Sequence, residues 1–156
     1  MLVGGALMKI VGTPWEGLYK FFLFSFGIPF FLIGIVSKTW AFTINGLIWI
    51  IFGVGFKIKS IYNKHKLQTL KREGLCYDGS VVKIIPAPWA RIGSFIAARV
   101  ECLYKTEKGD YLVRSGYHLL LPFDRREDLH AKIYFDGNKR EKYAVELFRR
   151  DTGVSL

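Results

Sequence analysis

FFLFSFGIPFFLIGIVS (residues 21–37) and TWAFTINGLIWIIFGVGF (residues 39–56) are two apolar runs separated by a single charge, Lys38. They hold 17 and 18 uncharged residues, meeting the length of about 17–25 that a helix needs to cross a hydrocarbon core of about 30 Å. Both are apolar all round, without the one-sided stripe of a helix that lies on a soluble core. What remains of the chain is too small to wrap two such helices. The two runs therefore predict a transmembrane helical hairpin over residues 14–56, turning at Ser37-Lys38-Thr39.

Working outward, Thr13-Pro14-Trp15-Glu16 reads as a helix start. Thr13 serves as cap, Pro14 takes the first helical position, and Glu16 reaches back to the capping residue's amide. The first helix should run from Pro14 to Val36, with Trp15 and Tyr19 at headgroup level and a kink at Pro29. The N-terminal segment, residues 1–13, is expected on the membrane surface or disordered. It lacks the basic start of a secretory signal and is expected to be retained. Residues 57–73 contain neither Gly nor Pro and should continue the second helix as a basic juxtamembrane segment. Its Lys57, Lys59, Lys64 and Lys66 would face the inner leaflet, either as contacts to anionic lipid or as ordinary topology determinants. With Lys38 alone at the turn, the positive-inside rule places both termini in the cytoplasm, on the inner membrane. Gly27 and Gly34, and Gly46 and Gly53, recur at seven-residue spacing and define a packing seam, within one chain or between copies of a homo-oligomer. Neither span carries an ionisable residue, which argues against a proton relay or charge-coupled transport.

The formal charge of +10 over 156 residues belongs to this membrane region. Residues 1–72 carry nine basic and one acidic residue, +8, whereas residues 73–156 carry fourteen and twelve, +2. A folded domain that gripped duplex nucleic acid would want a basic stripe of its own, so that partner is not expected. Cys76 and Cys102 are too few and too far apart for a metal or redox motif and should be free thiols in the cytoplasm.

From residue 74 the period changes from helical to alternating, which makes residues 74–156 a cytoplasmic β domain and the chain an α+β membrane protein. Residues 81–85 read as a short buried strand ending at Pro86. Residues 95–105 place Ile96, Ala98, Val100, Cys102 and Tyr104 on one face, and residues 111–121 place Tyr111, Val113, Tyr117, Leu119 and Leu121 on one face. If Glu107 pairs with Asp110 across the turn, Cys102 meets Ser115, Val100 meets Tyr117 and Ala98 meets Leu119, while Arg99 meets His118 on the polar face. Strands at residues 130–135 and 142–148 would complete a small, mostly antiparallel sheet or partly open barrel of about five strands.

Ala131-Lys132-Ile133-Tyr134-Phe135-Asp136 followed by Lys142-Tyr143-Ala144-Val145 resembles the end of the cytoplasmic β domain in a family of small bacterial two-helix membrane proteins of unassigned function. The turn departs from that family's Asn-Pro, since Asn138 is followed by Lys139. The resemblance implies no activity. In architecture alone, the layout is also similar to CRISPR-associated membrane effectors activated by cyclic oligoadenylate.

No catalytic pattern stands out, so the chain is expected not to be an enzyme and to need no cofactor or metal. His65, His118 and His130 lack metal-ligand spacing, and Ser115 and His118 would face opposite sides of a regular strand. The doublets Arg125-Arg126 and Arg149-Arg150 lie among carboxylates and read as solvated charge. The polar face of the central hairpin is the candidate site. Arg99, Arg114 and His118, with Arg91 reaching over from a loop and Trp89 as a stacking surface, could hold an anion such as a nucleotide second messenger; the alternative is that Glu101 pairs with one arginine and the face is simply solvated. The expected function is ligand sensing that acts through the hairpin. The alternative is an accessory or immunity-type subunit that binds another membrane protein.

Overall fold

The computed structural model describes residues 7–137 and 141–150, with backbone alone for 7–10 and 88–90. The chain divides into two compact units, Thr13–His65, and Met1–Gly12 together with Lys66–Leu156.

In the helical unit, α1 (Pro14–Lys20), a π-helical stretch (Phe21–Gly27) and α2 (Ile28–Val36) form one continuous 23-residue helix, and α3 (Trp40–Glu73) is the second. Both are long and apolar enough to cross a membrane. Thr13 sits at the N-cap in extended conformation, but its side chain makes no capping bond, and Glu16 pairs with Lys64 at 3.1 Å instead of reaching back. The perturbation expected at Pro29 takes the form of the π-helical stretch just before it, where Ile28 N–H bonds Leu23 O, five residues back. Pro29 has no N–H to donate and its ring crowds the carbonyl four residues upstream, so widened spacing there relieves the ladder. At the turn Lys38 adopts a left-handed φ of 52°, and Thr39 N–H closes onto Gly34 O at 3.0 Å.

The glycine seam lies inside one chain. A Cβ built on Gly27 would sit 2.8 Å from Ile50 Cγ1, one on Gly53 would sit 3.2 Å from Leu23 Cβ, one on Gly34 would collide with the Thr43 backbone, and one on Gly46 with that of Phe31. All four positions therefore face the partner helix, whose backbone excludes a side chain at Gly34 and Gly46 and leaves only tight room at Gly27 and Gly53. Beside the seam an aromatic ladder crosses between helices: Trp15 on Phe56 (6.0 Å), Phe56 on Phe22 (5.6 Å) and Phe22 on Trp49 (5.2 Å). Outward-facing Phe24, Leu32, Ile44, Ile51 and Phe52 stay exposed, an apolar exterior that water does not favour.

The other unit is an antiparallel, curled sheet of seven strands: β1 (Leu7–Ile10), β2 (Leu75–Ile92), β3 (Phe95–Thr106), β4 (Gly109–Arg114), β5 (His118–Leu120), β6 (Leu129–Phe135) and β7 (Tyr143–Arg150). Spatial order is β1-β7-β6-β2-β3-β4, with β5 also on β3. The count exceeds five for two reasons. Residues 111–121 split into β4 and β5, and Leu7–Ile10 joins as a strand on β7 rather than lying on a membrane or remaining disordered. Val11 N–H donates to Leu147 O (2.9 Å) while Gly12 O accepts from Leu119 N–H (2.8 Å), so residues 11–12 bridge β7 to β5 and partly close the curl. Satisfying edge groups in this way protects them from stray pairing. β2 does not stop at Pro86. It bulges at Val82, shifts register again between Pro86 and Arg91, and ends at a turn where Gly93 has φ 59°. Inside the curl Val100, Cys102, Ala131, Ile133 and Leu147 are fully buried, joined by Tyr104, Phe135, Leu120, Leu129 and Val11.

Candidate functional site

The β3–β4 turn is set by Thr106, whose hydroxyl accepts Lys108 N–H (3.3 Å) and donates to Gly109 O (3.0 Å). Thr106 therefore pairs with Gly109, and Cys102 meets Val113 rather than Ser115. Paired numbers still sum to an odd value, so the faces of β4 are those expected. Past Arg114 they are not. Val100 exchanges bonds with Ser115 (2.8 and 2.9 Å), yet Ala98 pairs with His118, so β3 advances two residues while its partner advances three. The extra residue flips every side chain beyond it.

That bulge rearranges the expected site. His118 turns into the core, 6% exposed, beside Ala98, and is not on the polar face. Tyr117 turns outward instead, and the Arg99 guanidinium lies over its ring at 4.3 Å. Ser115, also buried, accepts Val100 N–H and donates to Gly116 O (2.8 Å), so its hydroxyl is engaged on both sides. Arg91 pairs with Ile96, which shares a face with Ala98, so register places Arg91 on the side of the sheet opposite Arg99. The side chain of Trp89 lies outside the described residues.

The face that remains is a row across three strands, Lys83–Glu101–Arg114, with Arg99 one step along β3 beside Ile85. Arg114 is taken by Glu101, Nη2 to Oε1 at 2.7 Å and Nε to Oε1 at 3.3 Å. Among the described residues Arg99 is not taken by a carboxylate. Its Nε is buried without a hydrogen-bond partner, and among the described residues His118 Nδ1 shares that condition. Stacking on Tyr117 holds the guanidinium in place, and the buried, unsatisfied donor nitrogen is a cost that the fold carries at this position. The sequence pointed to Arg99 and Arg114. It gave no hint of Lys83, which β2 brings opposite Glu101 only through its bulge at Val82, nor of Tyr117.

Two further polar groupings are internally satisfied. Glu146, 4% exposed, receives Lys71 Nζ at 2.8 Å and Tyr134 OH at 3.3 Å, and burial together with the Glu146 charge pushes the Tyr134 phenol up. Asp124 binds Arg149 through both oxygens and also accepts Leu121 N–H (2.7 Å), so Arg149 is not the solvated charge its doublet suggested. An open groove of ≈ 670 Å³ on the sheet is lined by Ser80, Leu103, Lys105, Arg126 and the His130–Asp78 pair, 3.2 Å apart. Among the described residues no group of three or more His, Cys, Asp or Glu side chains is placed to hold a metal ion. No family model, curated protein or solved structure matches the chain.

Proposed function

We propose that the chain is a membrane-anchored binding protein, its hairpin in the bilayer and its β unit holding an anionic ligand on the Arg99 face. Both termini then lie in the cytoplasm, on the side of the basic flanks. The observation that carries the ligand reading is Arg99, held over the Tyr117 ring with no carboxylate partner among the described residues, beside the exposed Lys83. A phosphate between Arg99 and Lys83 would gain charge-assisted bonds, and a base or ring could lie along Tyr117. A nucleotide is the ligand class that uses both, and a nucleotide second messenger is the form a sensor would read. The groups on this face bind and orient, and no bond-breaking step is assigned to them. Because the four glycines are used within one hairpin, they lend no support to an oligomer of copies.

The test is a thermal-shift titration of the full chain in a non-ionic detergent with inorganic phosphate, mononucleotides and cyclic oligonucleotides. A ligand at a hundred times its Kd adds about 2.7 kcal/mol of stability by mass action. A saturable upward shift that disappears in Arg99→Gln supports the reading. No shift with any anion refutes it and favours a subunit that binds another membrane protein.

A further inference from the structure

At the end of the helical unit opposite the Lys38 turn, four lysines have different surroundings. Lys64 Nζ is 3.1 Å from Glu16 Oε2, the sole carboxylate in residues 13–65. Lys59 Nζ stands 4.1 Å from the centroid of the Trp15 ring, Lys57 Nζ 5.7 Å from that of Tyr19, and Lys20 is exposed. Glu16 is the one carboxylate among these four lysines, bonded to Lys64 and also within reach of the Lys20 charge, so three positive charges remain in excess. Trp15 is itself anchored by stacking on Phe56 at 6.0 Å, and all of these residues belong to one compact unit.

Indole and phenol rings settle at the headgroup level of a bilayer, apolar body inward and polar edge outward. A lysine lying over such a ring is held at the same depth, with its ammonium still able to donate to a phosphate. Positive charge alone would satisfy the topology rule at any exposed position of these flanks. The placement over Trp15 and Tyr19 is not required by topology, and it brings two cations to the depth of the lipid phosphates. We propose that Lys57 and Lys59, framed by Trp15 and Tyr19 and joined by Lys20, form a docking site for anionic phospholipid headgroups. The site rests on the membrane placement of the hairpin proposed above.

The experiment reconstitutes the full chain into phosphatidylcholine bilayers. It compares spin-labelled phosphatidylglycerol with spin-labelled phosphatidylcholine by the relative association constant of the motionally restricted lipid. Wild type should prefer the anionic lipid severalfold, in a manner weakened by salt. Each lysine removed should lower that preference by about fivefold until it reaches unity, so Lys57→Gln with Lys59→Gln should abolish it, while Lys57→Arg with Lys59→Arg keeps it. Glu16→Gln releases Lys64 and should raise the preference above wild type. Equal association of the two lipids with a chain firmly held in the bilayer overturns the site alone. Release of the chain from membranes by alkaline carbonate overturns the membrane placement and the site with it.

Discussion

Acid should loosen the β unit through one residue, His118. Its side chain is enclosed beside Ala98 and its Nδ1 has no partner. Burial drives its pKa from the ordinary 6.5 down to about 4, and a hydrogen bond with the Val11 backbone and the charge of Glu146 offset that only in part. Between those values the unfolded chain binds a proton that the folded chain refuses. The stability contributed by the neutral ring is therefore complete above pH 6.5 and is lost as pH falls from 6.5 toward 4. At pH 5 the loss is about 2 kcal/mol, a large share of what a domain of this size has to spare. The assay is urea unfolding of the full chain in a non-ionic micelle at pH 7.5 and pH 5, followed by near-UV circular dichroism. The packed rings of Tyr77, Tyr104 and Phe135, 5.1–5.8 Å apart, supply the signal. His118→Gln keeps a donor for the Val11 backbone without a titrating ring, so its loss between the two pH values should be smaller by about that amount. Equal losses in wild type and His118→Gln would refute the reasoning and place the acid sensitivity in the carboxylate pairs.

Three other outcomes follow from particular contacts. Ser115→Ala strands the buried Val100 N–H and should cost about 1–3 kcal/mol in the same urea assay. Cys102 is fully buried with its thiol pushed up to about 12, whereas Cys76 is exposed, so a disulfide reagent at pH 8 should titrate one thiol in the native chain and two in urea. Gly46→Leu drives a side chain into the Phe31 backbone and should lower the aggregation temperature of the micellar protein, by a destabilisation of about 1–3 kcal/mol or more. Gly55→Leu faces open space and should leave that temperature unchanged.

Much of the helical unit was legible because its signals are local. Run length, the lone Lys38 and the seven-residue glycine spacing depend only on near neighbours in the chain, and the helix ends at Val36 and Trp40 follow from them. The direction of the glycine seam was not legible, since spacing is the same whether the partner helix comes from the same chain or another. Thr13 and Glu16 have the residue types of a capping box, yet Lys64, 48 residues away in sequence, draws Glu16 off.

In the β unit the alternation of residues 95–105 showed which side chains face inward, because strand period is a property of the strand itself. Whether a neighbouring strand keeps step is a property of the pair. Thr106 selected the turn, and one unpaired residue after Ser115 then exchanged the fates of Tyr117 and His118. Residues 7–10 carry no alternation strong enough to announce a strand, and they become one only because β7 presents unpaired backbone groups for them to meet. Sequence by itself thus determined the two apolar helices, the basic flanks and the inward face of β3, all of which follow from composition and local period. Only tertiary structure decided that Arg99 should lie on Tyr117, that Lys83 should stand across from Glu101, and that His118 should be buried, because each depends on hydrogen bonds between segments whose register no local pattern encodes.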